Sequence, residues 1–228
     1  NVHKDKSYLF QITQQKDFYT EGGFAYYIDS KPNPQRILKI NLSSGERSEW
    51  FSGKASDNKF NLRSISRLEF NTNSKTPYLL DGALKAVFKV EPQNDFKRSL
   101  ITSSGPVSED TSLNYLSSNS IMWDKANNRL LVDNQLEGTI NTYNLETGTS
   151  AVLCNFGVKD INKDFVTPLS SAIDTNKQRI VSLINYYSKA STTIKTRIDS
   201  CNLADGAHSI ISDEPDTEKL PFFNPSRL

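Results

Sequence analysis

The chain has 228 residues and an almost balanced charge, with 27 Lys and Arg against 26 Asp and Glu. A chain of this length can bury a full hydrophobic core. The small net charge argues against a nucleic acid as the main partner, because polyanion binding needs a basic surface. No run approaches the roughly 20 apolar residues of a membrane-spanning helix, so we expect no transmembrane segment.

Short apolar runs separated by turn residues divide the chain into similar units. In the first unit we predict strands at 8–13, 24–29, 37–42 and 47–51. In the second unit we predict strands at 65–70, 78–81, 86–90 and 97–101. Runs rich in Ile, Leu, Val, Tyr and Phe, bounded by Asn, Asp, Gly and Pro, are typical of antiparallel meanders.

The third unit has the clearest pattern, with strands predicted at 121–123, 129–133, 139–145 and up to Leu153. The fourth unit has predicted strands at 171–173, 179–184, 193–198 and 208–211, and 220–228 looks like the start of a fifth unit. No stretch shows the i, i+3, i+4, i+7 apolar stripe of a helix. The sequence therefore predicts an all-β fold.

Equivalent turns lie at Gly45, Asn94, Gly148 and Gly206, with separations of 49, 54 and 58 residues. A period of about 50 residues with a four-stranded meander in each unit indicates the blades of a β-propeller. We predict one propeller domain over 1–228, with units at about 8–53, 62–102, 115–156 and 167–212 and a further blade starting at 220–228. Four blades and a stub do not close a ring of six, so we expect an incomplete or truncated propeller. A small four- or five-bladed ring is the alternative.

Several segments of these units resemble the blades of the SMP-30/gluconolactonase/NHL-like six-bladed propellers. The resemblance lies in Ser-Asn-Ser at 118–120, NRLLVD at 128–133 and NTYNLETG at 141–148, and in the similar segments 26–29 and 36–45. It implies a propeller fold and leaves the chemistry open, because many functions share that fold.

In the lactonase members of that family, a Glu, an Asn and an Asp hold a divalent metal on the central axis. The resemblance implies Asn119 as the matching Asn. Glu21 does not match the family's Glu, because the strand at 26–29 follows it too closely in the sequence. Ser170 and Ser171 occupy the positions where the family's Asp is expected. A hard cation such as calcium needs six or more oxygen ligands. We therefore predict no cofactor, with calcium or another divalent cation as the alternative.

Polar residues recur near the predicted starts of the inner strands, which surround the axial channel of a propeller. They are Arg63, Ser64, Arg67, Ser117, Ser118, Asn119, Thr167, Ser170 and Ser226. We predict that Arg63, Ser64, Ser118, Asn119 and Ser170 form a ligand-binding rim for a small anion or a sugar. A water-filled channel without a ligand is an equal alternative.

Other polar residues have structural interpretations. Asp29, Asp81 and Asp133 end the second strands, where we expect them to accept hydrogen bonds from turn N–H groups rather than to form a ring of carboxylates. His208 is interpreted as a solvated strand residue, and Trp50 and Trp123 as packing residues. Cys154 and Cys201 are expected to be unpaired thiols, with a disulfide as the alternative in a secreted protein.

The chain starts with Asn1 rather than Met, so we expect that a segment has been removed from an exported protein. We place it in the periplasm, outside the cell or at the cell surface, in a bacterium.

No Gly-X-Ser-X-Gly elbow and no phosphate-binding glycine loop is present. We predict a binding or scaffold propeller with a small molecule or a protein on its axial face. The alternatives are a metal-dependent lactonase-like hydrolase and a domain of a larger surface assembly. Whether the protein is an enzyme is not decided by the sequence.

Overall fold

The computed structural model describes residues 18–29, 35–52, 62, 64–103, 120–135, 137–147, 149–157, 165–188 and 193–213. They form four antiparallel sheets of four strands. The first sheet consists of β1 (Phe18–Glu21), β2 (Phe24–Asp29), β3 (Arg36–Asn41) and β4 (Arg47–Ser52). The second consists of β5 (Ile65–Asn71), β6 (Thr76–Asp81), β7 (Ala86–Glu91) and β8 (Lys97–Ser103).

The third sheet consists of β9 (Ile121–Asp124), β10 (Arg129–Asn134), β11 (Thr139–Tyr143) and β12 (Ser150–Asn155). The fourth consists of β13 (Phe165–Asp174), β14 (Arg179–Ser188), β15 (Thr193–Asn202) and β16 (His208–Asp213). Strands pair in chain order within every sheet. The described part of the chain contains no helix, and therefore no helix that is long and apolar enough to cross a membrane.

Local turn chemistry sets the hairpins. In the turn from β3 to β4, the side-chain oxygen of Asn41 accepts hydrogen bonds from the N–H groups of Ser43 and Ser44 at 2.9 and 3.2 Å. Asn144 does the same for Glu146 and Thr147 between β11 and β12. An Asn side chain that accepts hydrogen bonds two and three residues ahead stabilises a tight turn. The third strand of every sheet also carries a register shift against the fourth, so the four units share their irregularities as well as their strands.

Three hydrophobic clusters fill the three interfaces between consecutive sheets. The first joins Tyr26 and Ile37 of the first sheet to Leu79 and Phe88 of the second. The second joins the faces of sheets two and three, and the third joins those of sheets three and four. Between sheets four and one, the described residues form no comparable cluster. Trp123 lies in the second of these interfaces and Trp50 packs on the first, which confirms their interpretation as packing residues.

The cysteine prediction is wrong. Cys154 on β12 and Cys201 on β15 are fully buried and form a disulfide, with their Cα atoms 6.0 Å apart. The two strands belong to different sheets, and stacking of the fourth sheet on the third brings the thiols within the range that a disulfide needs. A sequence pattern cannot reveal this proximity, because 47 residues separate the two positions.

The strand predictions differ from the structure mainly at the first and fourth sheets. The strand predicted at 8–13 lies outside the described residues, whereas β1 at Phe18–Glu21 was not predicted. The inner strand predicted at 171–173 extends over Phe165–Asp174 as β13. Pro168 falls within it, at a bulge against β14. Proline is tolerated there because β13 is an edge strand whose outer side forms no ladder.

Candidate functional site

Two buried carboxylates fix where the inner strands of the second and third sheets begin. Asp81, at the end of β6, accepts a hydrogen bond from the N–H of Ser64 at 3.2 Å. Asp133, at the end of β10, accepts one from the N–H of Ser120 at 2.9 Å. Both carboxylates are fully buried. The expected structural role is confirmed for Asp81, which also accepts hydrogen bonds from the turn N–H groups of Ala83 and Leu84 at 2.9 and 2.8 Å. Asp29 pairs with Arg36, and the turn that follows it lies outside the described residues.

The first strands of the sheets border a cavity of about 320 Å³. All four sheets contribute to its wall through their first strands, β1, β5, β9 and β13. The residues that line it are Tyr19, Arg67, Leu68, Glu69, Ser120, Ile121, Met122, Trp123, Ser170, Ser171, Ala172 and Ile173. The space lies where the first strands of all four sheets come together. We call it the axial cavity.

Glu69 is the acidic residue in the wall of the axial cavity. One of its carboxyl oxygens accepts a hydrogen bond from the N–H of Phe70 at 3.2 Å. Burial raises the pKa of Glu69 from 4.5 to about 7, and the hydrogen bond from Phe70 acts in the opposite direction. The cost of removing the charged carboxylate from water therefore outweighs the local donor.

Two tyrosines lie near this carboxyl group. Burial, followed by the charge of Glu69, raises the pKa of Tyr19 on β1 to about 12. Tyr78 on β6 pairs directly with Glu69 across the sheet, and burial raises its pKa to about 12 as well. Both phenols therefore stay neutral when Glu69 titrates.

The opposite wall of the axial cavity is rich in hydroxyl groups. The Ser120 hydroxyl oxygen accepts a hydrogen bond from the N–H of Ser171 at 3.1 Å, which links β9 to β13. The Ser171 hydroxyl lies 2.9 Å from that of Ser182. The bulge between Pro168 and Ser170 lies directly before the wall residues of β13, and bulges often redirect side chains beside binding sites.

The structure places only some of the predicted rim residues. Ser170 lies in the cavity wall, whereas Ser64 lies outside it, beside Asp81. Arg63, Ser118 and Asn119 lie outside the described residues, so their predicted roles in ligand and metal binding stay predictions.

Three residues of the cavity wall, Tyr19, Glu69 and Trp123, were not predicted from the sequence. Their shared signal is position, because each lies on the first strand of its unit. Glu69 and Trp123 lie on strands that were predicted correctly. A carboxylate inside an apolar strand such as ISRLEFN indicates a polar site. Tyr19 could not be found in this way, since β1 itself was not predicted.

A second polar cluster lies at the outer part of the fourth sheet. The fully buried Asp199 pairs with Arg197 at 2.9 Å and with the His208 ring at 2.8 Å. His208 was expected to be a solvated strand residue; it is partly exposed, but its ring also contacts the buried Asp199 carboxylate and meets the ring of Phe156 edge-on. Nowhere in the described ranges do three His, Cys, Asp or Glu side chains meet in a group that could hold a metal ion. In this cluster Arg197 neutralises the buried carboxylate of Asp199.

The pKa of Glu69 gives the fold a pH dependence. Since the folded pKa lies above the unfolded one, the folded state retains the proton that the unfolded state loses between pH 4.5 and about 7. The contribution of Glu69 to stability falls across that window by about 3 kcal/mol and does not change further above it. Tyr19 and Tyr78 do not titrate in the window, because burial raises both of their pKa values to about 12.

We expect Glu69→Gln to abolish this fall, so that the variant gains about 3 kcal/mol over the wild type between pH 4 and pH 8. Urea denaturation across this range measures the difference. The exposed Glu137→Gln serves as the control for the loss of one carboxylate. Parallel pH profiles for wild type and Glu69→Gln would show that Glu69 is not desolvated.

Four stacked, four-stranded antiparallel meanders with their first strands around a common axis define the class of this protein. It is an all-β protein with the β-propeller fold.

Comparison with solved structures agrees with this fold. The β-propeller domain of the trilobed protease from Pyrococcus furiosus superposes with a TM-score of 0.50 at 12% identity, over 88% of this chain and 57% of that chain. An auxiliary nutrient binding protein from Bacteroides thetaiotaomicron gives 0.53 at 7% identity, over 87% of this chain and 57% of that chain. A chain of a nidogen/laminin complex gives 0.53 at 12% identity, over 84% and 76%.

At these identities the similarity shows the fold alone. This chain spans little more than half the length of the first two structures. No protein-family model matches the sequence, and no curated protein sequence matches it.

Proposed function

We propose that this protein is an exported binding propeller that holds a small polar molecule in the axial cavity. The observation that carries the proposal is the cavity itself, with a wall that combines one carboxyl group, one guanidinium group, hydroxyls and aromatic rings. Its volume of about 320 Å³ is at the lower end of the range for small-molecule sites. A cavity of this size accommodates a sugar or an amino acid rather than a protein segment.

Export is supported by the buried disulfide between Cys154 and Cys201, because disulfides persist in oxidising compartments. We propose the periplasm, the extracellular space or the bacterial cell surface as the location. A structural neighbour described as an auxiliary nutrient binding protein is compatible with a binding role. A single domain over 1–228 and blades of the SMP-30/NHL-like type are part of the same proposal, on the sequence segments that resemble that family.

The metal-dependent lactonase-like alternative finds less support. The matched ligand, Asn119, lies outside the described residues, and Glu69 is the single carboxylate in the described wall of the axial cavity. A hard cation prefers several carboxylate oxygens. The described wall therefore does not fit a calcium ion, and we derive no reaction through a metal.

Ligand binding can be tested with melting curves in the presence of glucose, xylose, N-acetylglucosamine, sorbitol, glucosamine and the common amino acids. We expect at least one of these compounds to raise the melting temperature as its concentration passes its dissociation constant, reaching about 2.7 kcal/mol of stabilisation at a hundredfold excess over Kd. Ala172→Phe places a ring at the cavity wall and should abolish the increase.

The matched control is Ala151→Phe, at an exposed position on β12 away from the cavity. It should respond to the compound like the wild type. The proposal fails if no compound changes the melting temperature, or if Ala172→Phe responds as strongly as Ala151→Phe does.

A further inference from the structure

We propose that the axial cavity selects small hydroxylated molecules that carry a protonated amine, and that the amine binds at the Glu69 carboxylate. This inference rests on the proposed function and names the class of its ligand.

The Glu69 carboxylate has little support from the protein. Its contact with the N–H of Phe70 at 3.2 Å is the one hydrogen bond that it makes to the described residues. The remaining acceptor positions of a carboxylate that faces a cavity are open to a ligand with several donors. An ammonium group has three N–H donors and also supplies the missing countercharge.

The nearby cations do not supply that charge. Lys75, in the turn that follows β5, pairs with Glu21, and Lys89 on β7 pairs with Glu91 at 3.0 Å. Arg67 lines the same cavity two residues before Glu69, and no cation is among the groups that shift the pKa of Glu69. A ligand can therefore place its amine at Glu69.

The remainder of the wall fits the same class of ligand. Tyr19 and Trp123 also line the cavity, and aromatic rings attract cations and pack against the apolar faces of sugars. Ser120, directly before β9, and Ser170 and Ser171 on β13 add residues with hydroxyl groups to the wall. The cavity volume of about 320 Å³ corresponds to about ten water molecules, which suits a monosaccharide or a polyol of similar length.

The raised pKa of Glu69 is consistent with this geometry. A buried carboxyl group without a cation takes up a proton more readily, and a bound ammonium ion would reverse that effect. The titratable groups beside Glu69 are Tyr19 on β1 and Tyr78 on β6, and Arg67 on β5 is the charged group in the same wall. Neither tyrosine changes charge near neutral pH.

Isothermal titration calorimetry with two matched pairs tests the proposal: glucosamine against glucose, and glucamine against sorbitol. Within each pair, the compounds differ in the replacement of one hydroxyl group by an amine. We expect the amine to bind at least ten times more tightly in wild type and in Glu137→Gln. In Glu69→Gln its affinity should fall to that of the neutral partner.

Carbon-13 NMR of the glutamate carboxyl groups gives a second measurement on the wild type. Glucamine should move the titration of Glu69 to lower pH, whereas sorbitol should leave it in place.

The outcomes separate the two proposals. Equal affinity for both members of a pair, or an amine preference that survives in Glu69→Gln, overturns the amine inference. So does the absence of amine binding in a protein whose cavity binds an uncharged compound. In these cases the proposed function stands if Ala172→Phe blocks the binding that is seen. If no compound binds, both proposals fail.

Discussion

Removal of the disulfide, in the variant Cys154→Ala/Cys201→Ala, should lower the free energy of unfolding by about 4 kcal/mol. The bond closes a loop of 47 residues, and this cross-link restricts the unfolded chain. For a chain of this length, a loss of this size corresponds to a fall in melting temperature of about 10 °C. Guanidinium denaturation of wild type and variant measures the difference.

Reduction provides the control for this prediction. A reducing agent strong enough to open the buried bond should destabilise the wild type toward the level of the double variant and should leave the double variant unchanged. If wild type and double variant unfold at the same denaturant concentration without reductant, the cross-link does not stabilise the interface between sheets three and four.

Gly206→Ala should cost about 4 kcal/mol, because two separate penalties add. Gly206 has φ of +72°, a conformation that costs an L-residue roughly 1–2 kcal/mol. A Cβ atom at this position would also lie 1.9 Å from the backbone oxygen of Leu153 on β12. Relief of that overlap must move two packed sheets apart, at a cost of roughly 1–3 kcal/mol.

Gly45→Ala is a matched control for the second penalty. Gly45 lies in the equivalent turn of the first sheet and has φ of +74°, and its N–H donates to Asn41 as that of Gly206 donates to Asn202. No atom lies within 4 Å of the position of its Cβ. We expect Gly45→Ala to cost only about 1–2 kcal/mol in chemical denaturation. Equal losses for the two variants would show that the turn before β16 does not press on β12.

The two predictions concern one interface. The turn at Gly206 contacts Leu153, and the next residue along β12, Cys154, forms the disulfide with Cys201. Because neighbouring changes do not add in general, the two variants are best measured separately. Together they test whether the third and fourth blades are held by a covalent bond and by close backbone contact at the same place.

The predicted ligand-binding rim stays a prediction, although Ser170 and Arg67, two polar residues expected near the starts of the inner strands, line the axial cavity. Glu69 was missed, because its chemistry depends on desolvation by neighbouring sheets rather than on its neighbours in the chain. Ser64 was expected at the rim, but it lies outside the cavity wall, where its N–H donates a hydrogen bond to Asp81.

The sequence by itself determined the meanders. Alternating apolar residues and Asn-based turns act over a few residues, so β2, β5, β7 and β10 were predicted to within one residue at each end. Only the tertiary structure decided the disulfide, the contact of Gly206 with Leu153 and the grouping of Tyr19, Glu69 and Trp123. These features join positions far apart in the chain, and sheet stacking alone fixes their distances.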